Sequence, residues 1–150
     1  ADQQIKLVLA GAKGWFYQEI FQLVASLNLE QQVLFPGYIA ETELPDWYRA
    51  AEVFVYPSFF EGFGLPVLEA MSCGVPVLCS EVASLLEVAG SSALTFPPTD
   101  TAALVAGLDA LIKQPALRTQ LRQAGLTRAG QFSWRQTAEQ TWAVYEEAVG

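Results

Sequence analysis

The stretch VFVYPSFFEGFGLPVLEAMSCGVPVLCS, residues 53–80, decides how this chain is read. It opens with an apolar run, VFVY, and passes through the loop SFFEGFG into a helical segment that begins near Leu65-Pro66. Proline suits that first turn, because the N–H it lacks would have had no intrahelical partner. Gly74 ends the helix, and a second apolar run, residues 77–79, follows Pro76. A strand, a loop, a helix and another strand predict one βαβ unit. Glu61 and Glu69 are the only charged side chains among these residues, and no Lys, Arg or His stands nearby in sequence to neutralise them.

The same alternation extends outward. Residues 5–10 (IKLVLA) read as a buried strand ended by the turn GAKG, and residues 16–27 carry helical spacing through Phe16, Ile20, Leu23, Val24 and Leu27. A second strand at 33–35 is stopped by Pro36-Gly37, and a helix over 43–51 takes Thr42 as its N-cap. Its inner face is expected to carry Leu44, Trp47 and Tyr48, with Phe54 and Tyr56 also core-facing and serving as packing. Beyond the central unit come a short helix at 84–88, a strand at 93–96, and helices over 101–113, 116–131 and 134–149. Asp100 and Ser133 are the expected N-caps of the first and last of these three. Strands that are apolar throughout, alternating with helices, predict an α/β fold: a doubly wound parallel sheet covered on both faces.

With 150 residues, the chain is expected to form one domain with its own core, and 52% hydrophobic residues exclude a disordered one. Sixteen Asp and Glu against eight Lys and Arg give a net charge of −8. An acidic chain without a basic run is a poor partner for nucleic acid or anionic lipid. A phosphate remains acceptable, since helix N-termini bind one without Lys or Arg. No apolar run reaches the length of a membrane span, and the start ADQQIKLVLA has no signal-peptide character. Cys73 and Cys79 lack metal-ligand spacing and read as small buried hydrophobes in a reducing compartment, which points to the cytoplasm. There is no His and no D-x-D run, so no metal site is expected.

In a parallel sheet, ligands bind outside the carboxyl ends of the strands. The Glu61 loop leaves the carboxyl end of VFVY, Gly62 and Gly64 permit a tight turn and close backbone approach, and the following helix offers N–H groups to a phosphate. Glu69 sits in the second turn of that helix among apolar neighbours, where an unpaired carboxylate would cost several kcal/mol. Two readings are open for it: binding a pair of ligand hydroxyls, such as those of a ribose, or reaching solvent or a distant Arg. Phe59, Phe60 and Phe63 crowd the same loop, either packed beneath it or walling a pocket. A phosphoacceptor receiver domain would need Asp at the strand ends, and a nicotinamide-binding domain would need G-x-G-x-x-G; neither is present.

EGFGLPVLEA resembles the E-x7-E signature of retaining glycosyltransferases of group 1, also called family 4, which have the GT-B fold. The resemblance extends over residues 43–80, over SLLEVAGSSALTFPPTD and over LRQAGLTRAGQFSW with the helix after it, and so covers nearly the whole chain. It departs at Leu86, where the family often has Pro, and at Ser91, where an acid is common. The resemblance implies that Glu69 holds the ribose hydroxyls of a nucleoside-diphosphate sugar, and that Glu61 is the catalytic acid beside the transferred sugar. It implies that the backbone of Gly62, Phe63, Gly64 and Leu65 meets the sugar and diphosphate, and that of Tyr38 and Ile39 the nucleobase. GAKGWFYQEI resembles a variant of mannosyltransferase-like members and hints at a mannose donor.

The implied protein is therefore the donor-binding domain of a retaining, metal-independent hexosyltransferase needing no cofactor, with a glycan, lipid or other hydroxyl as acceptor. A GT-B sugar-nucleotide epimerase or a non-catalytic sugar-nucleotide binding module is the alternative. The resemblance also implies that residues 1–150 lack the domain's first strand–loop–helix, with its basic pair, and the N-terminal acceptor domain. That domain would be the partner of this one and the only route to a membrane. A fragment without it is expected to be inactive. The C-terminal helix, bearing Trp142, Val144, Tyr145 and Val149, is expected to have an outer apolar stripe that is bare, mobile or covered by a neighbouring molecule.

Overall fold

The computed structural model describes residues 5–12 and 17–149. The chain forms two compact units, Ala1–Leu44 and Pro45–Gly150. The first contains β1 (Leu7–Ala10), α1 (Tyr17–Ser26) and β2 (Val33–Gly37), with β1 and β2 paired in parallel. The second contains most of α2 (Leu44–Ala50), then β3 (Phe54–Tyr56), α3 (Leu65–Ser72), β4 (Val77–Ser80), α4 (Ala83–Ala89) and β5 (Leu94–Phe96). Three helices complete it: α5 (Thr101–Lys113), α6 (Pro115–Ala129) and α7 (Trp134–Val149). Its sheet has the order β3-β4-β5, and both pairings are parallel. This is the expected α/β class.

The second unit is built around β4, which is buried at every position. Successive side chains of a strand point to opposite faces, so burial throughout requires cover on both. Leu78 anchors one face in a cluster with Phe96, Leu111 and Leu121, against which Leu104, Leu108 and Leu117 pack. Glycines set two of the helix approaches. A Cβ on Gly107 of α5 would stand 2.9 Å from Leu78, and one on Gly125 of α6 would stand 3.2 Å from Met71 of α3.

Helix α6 also ties down its neighbours through two arginines. Arg118 donates to the carbonyls of Leu111 and Ile112, at the end of α5, at 2.5 and 2.8 Å. Arg128 donates to those of Val88 and Glu87, at the end of α4, at 2.9 and 2.6 Å. A cation at a helix C-terminus meets both the unpaired carbonyls and the negative end of the dipole. Asp100 and Ser133 cap α5 and α7 as expected, accepting from Ala103 N–H at 2.9 Å and Gln136 N–H at 3.1 Å. Thr42 does not cap α2; the N–H groups of Glu43 and Leu44 bond the Ala40 carbonyl instead, and the helix starts at Leu44.

Several expectations for the first unit need correction. β1 is exposed at every position rather than buried, and the α1 stripe of Ile20, Leu23 and Leu27 is exposed as well. Within that unit, two strands and one helix offer too little surface to cover both faces of a sheet. α1 meets β2 through Phe21, which stacks on Phe35 with ring centroids 4.3 Å apart. β2 runs on through Pro36-Gly37, with a register shift that pairs Ala10 with Gly37. Phe16 and the Lys13-Gly14 half of the GAKG turn lie outside the described residues.

At the other end, all of α7 is exposed, including Trp142, Val144, Tyr145 and Val149, so the expected bare stripe is present. The two ends of this gradient can be separated by mutation. Leu78→Ala, in the buried core, should cost about 2–5 kcal/mol. Trp142→Ala, on a helix with no buried residue, should stay within about 0.5 kcal/mol. Urea denaturation of the 150-residue chain measures both, and similar losses would contradict the division between core and α7.

Candidate functional site

The Glu61 loop leaves the carboxyl end of β3 and runs into α3, as the βαβ reading requires. Gly64, the N-cap of α3, has φ +102°, a left-handed conformation. Its α-carbon faces Leu85 of α4 so closely that any Cβ would collide with that side chain. Gly62 is different, with no positive φ and open space where a Cβ would lie, so the tight turn rests on Gly64 alone. No side chain caps α3, and Pro66 occupies its first turn. At the other end Gly74, at φ +73°, turns the chain toward β4 while Val75 N–H bonds the Ala70 carbonyl.

Both glutamates are half-buried and both are held by hydroxyl groups. Tyr56 and Ser58 each donate to Glu61 Oε1 at 2.7 Å. The Ser84 hydroxyl, from α4, donates to the Glu61 backbone carbonyl at 2.8 Å. Tyr48, from α2, donates to Glu69 Oε2 at 2.9 Å. The basic residues of this unit are engaged elsewhere or exposed: Arg49 with Asp46, Lys113 with Asp109, Arg135 with Glu139, and Arg118 and Arg128 on helix ends. Arg118 also lies 3.5 Å from Glu52, and Arg122 is exposed. A distant Arg is thus not the partner of Glu69; a tyrosine is.

Ionisation follows from these bonds. Ser58 first and Tyr56 second hold the Glu61 carboxyl below its ordinary value of 4.5, because a donated hydrogen bond favours the anion. Burial, then the bond to Glu61, pushes the Tyr56 phenol up to about 12. Tyr48 is raised further by burial and by Glu69. Near neutral pH both phenols are therefore donors and Glu61 is an acceptor. The site presents anionic oxygens suited to ligand hydroxyls or developing positive charge, beside a helix N-terminus suited to phosphate. Among the described residues, no group of three or more His, Cys, Asp or Glu is gathered that could hold a metal ion.

The structure brings Glu61, Gly62, Phe63, Gly64, Leu65 and Glu69 together on one loop and the helix it starts. Tyr38 and Ile39 belong to the first unit, just past β2, with Tyr38 exposed and Ile39 half-buried. Phe59 and Phe60 are 72% and 85% exposed, which removes the reading that they pack beneath the loop. Phe63 meets Phe132 edge-on at 6.2 Å, and Arg128 stands over the same Phe132 ring at 4.8 Å. Burial pushes the Cys79 thiol up to about 11, so it packs as a small hydrophobe; Cys73 is half-buried and free.

The sequence pattern does not single out Tyr48, Tyr56, Ser58 or Ser84 as site residues. A signal existed for the tyrosines: a core-facing Tyr in place of Phe carries an O–H that needs a partner. Ser84, 23 residues from Glu61, carries no local signal. Trp47, expected on the inner face of its helix, is instead 39% exposed. One residue is about 100° of helix, and Tyr48 takes the inward direction, edge-on to Phe54 at 5.3 Å.

Gly64→Ala should lose about 2–4 kcal/mol from backbone strain and the collision with Leu85, whereas Gly62→Ala should stay within about 0.5 kcal/mol. Equal losses in urea denaturation would contradict the turn described. The pH dependence has a definite sign. A carboxyl lowered by folding contributes stability in full above about pH 4.5 and loses it as pH falls through the lowered value. The difference in thermal midpoint between the wild-type chain and Glu61→Gln should therefore shrink on acidification from pH 6 to about pH 3.

The family described as "Glycosyl transferases group 1" matches residues 1–128. The chain is 44% identical over 140 residues to O-antigen chain mannosyltransferase B of Escherichia coli, covering 93% of this chain and 37% of that protein. Its fold is similar to sucrose-phosphate synthase of Thermosynechococcus elongatus, with TM-score 0.86, 33% identity, and cover of 96% of this chain and 38% of that one. It is also similar to Anabaena HepE, solved in complex with UDP, with TM-score 0.85, 22% identity, and cover of 99% and 42%. The chain spans well under half the length of each of these proteins. With 128 of its 150 residues matched, it belongs to the group 1 glycosyl transferases, and its fold is that of their GT-B structures.

Proposed function

We propose that this chain is the donor-binding domain of a retaining hexosyltransferase that moves a sugar from a nucleoside diphosphate to a hydroxyl acceptor. The observation that carries this is the pair of glutamates at the carboxyl end of β3. They flank one glycine turn, and each is bonded to hydroxyls rather than to a cation. In this reading Glu69 binds the ribose hydroxyls, and Glu61 stands beside the transferred sugar, its charge favouring the oxocarbenium-like centre. The backbone of Gly62, Phe63, Gly64 and Leu65 meets the sugar and diphosphate, with the uncapped start of α3 supplying N–H groups. Tyr38 and Ile39 meet the nucleobase.

A mannose donor is favoured by the name of the relative that is 44% identical. The acceptor is a glycan, lipid or other hydroxyl. No metal or other cofactor is invoked: the leaving diphosphate is held by helix N–H groups and by basic residues from the rest of the parent chain. The partner is the N-terminal domain of that chain, which forms the opposite wall and excludes water. No nucleic acid is bound. The reaction is assigned to the cytoplasm; no helix among the described residues is long and apolar enough to cross a membrane.

The test uses the full-length parent protein and a panel of nucleoside-diphosphate sugars, the mannose donor included. Transfer with the anomeric configuration kept, read by NMR of the product, is expected. Inversion of that configuration, or interconversion of the free donor without transfer, would overturn the reading. Glu69→Gln should lower donor affinity by about ten- to a hundredfold in titration calorimetry, because a charged hydrogen bond contributes roughly 1.5–3 kcal/mol. Unchanged affinity would make Glu69 structural.

A further inference from the structure

The two carboxylates lie at the two ends of one row of rings. Tyr48 bonds Glu69 through its hydroxyl, and its ring meets Phe54 edge-on at 5.3 Å and 75°. Phe54 stacks on Tyr56 at 5.8 Å and 20°, and the Tyr56 hydroxyl bonds Glu61. Tyr48 comes from α2, while Phe54 and Tyr56 come from the same strand, two residues apart and so on the same face. Each end ties up one carboxylate oxygen, Oε1 of Glu61 and Oε2 of Glu69.

We infer that Tyr48, Phe54 and Tyr56 are positioning residues, a single aromatic row that sets the separation and aim of the Glu61 and Glu69 carboxylates. The inference rests on the proposed donor-binding role of those two acids. A rigid row is suited to that role because a nucleotide sugar presents its ribose and its hexose at separate points. Rings confined by stacking hold their hydroxyls without the rotamer freedom that a long flexible side chain would have to lose. The groups facing Glu61 from each neighbouring element are the Tyr56 phenol of β3, the Ser58 hydroxyl of the loop, the Ser84 hydroxyl of α4 and the charge of Glu69 on α3, which Tyr56 also feels. Among the described residues, none of these is a cation.

Removing one hydroxyl at a time keeps the rings and distinguishes the two ends. In the full-length protein, Tyr56→Phe should lower kcat about tenfold, with KM for the donor within about twofold. It should also move the acid limb of the pH–rate profile upward, since Glu61 loses a donor to its anion. Tyr48→Phe should raise donor Kd about tenfold and leave that limb in place. Phe54→Leu, which breaks the row in the middle, should show both effects. A second measurement needs no turnover: carbon NMR of the Glu61 carboxyl in the 150-residue chain should titrate at higher pH in Tyr56→Phe and unchanged in Tyr48→Phe. Loss of transfer by the wild-type protein would defeat the proposed function, and the NMR titration would still decide whether the row holds Glu61. An unmoved Glu61 titration in Tyr56→Phe, or identical kinetic changes from the two hydroxyl deletions, would overturn the inference.

Discussion

The half-buried carboxylate bonded to a neutral hydroxyl is the interaction on which the candidate site depends. An ion pair would quench the charge of Glu61 or Glu69 and spend their oxygens on a protein partner. At Glu61 the phenol and serine hydroxyls favour the anion, and at each acid one carboxylate oxygen is left for something else. Each such bond needs its donor held in place, and the surrounding fold supplies this. Tyr56 is fixed on a parallel strand, Tyr48 is buried on α2, and Ser84 is carried by the helix after β4. Gly64 allows the loop to fall against Leu85, which keeps Glu61 near all of them.

Charge elsewhere in the second unit is arranged to leave this region without cations. The chain has half as many basic as acidic residues. Arg118 and Arg128, both on α6, close the C-terminal ends of α5 and α4 by bonding backbone carbonyls. Those bonds relieve unpaired acceptors and meet two helix dipoles, which engages both arginines in packing. Arg128 extends this to the loop, because the Phe132 ring beneath it also meets Phe63. The Glu61 loop thus meets the helical layer through an aromatic contact.

Burial is distributed unevenly. Leu78 of β4, Phe96 of β5, Leu111 of α5 and Leu121 of α6 share a buried core, whereas every residue of β1 and α7 is exposed and α1 has none buried. Amphipathic patterning announces that a face is meant to be covered, and it does not say by what. For α7, with Trp142 and Tyr145 on its surface, no residue of the helix is covered.

The α/β class, the parallel βα order of the second unit, the Gly74 stop and the Asp100 and Ser133 caps were determined by the sequence alone, because each depends on local periodicity or on backbone groups a few residues apart. The conspicuous pair Glu61 and Glu69 was legible for the same reason, as charges within an apolar run. What holds those charges was decided only by tertiary structure. Tyr48 reaches Glu69 across 21 positions and Ser84 reaches Glu61 across 23, and no local pattern encodes which core-facing hydroxyl will meet which acid. The inward turn of Tyr48 rather than Trp47, the exposure of the α1 stripe and the closeness of Gly64 to Leu85 are likewise outcomes of packing. Periodicity specifies a face, and only the assembled neighbours specify what that face touches.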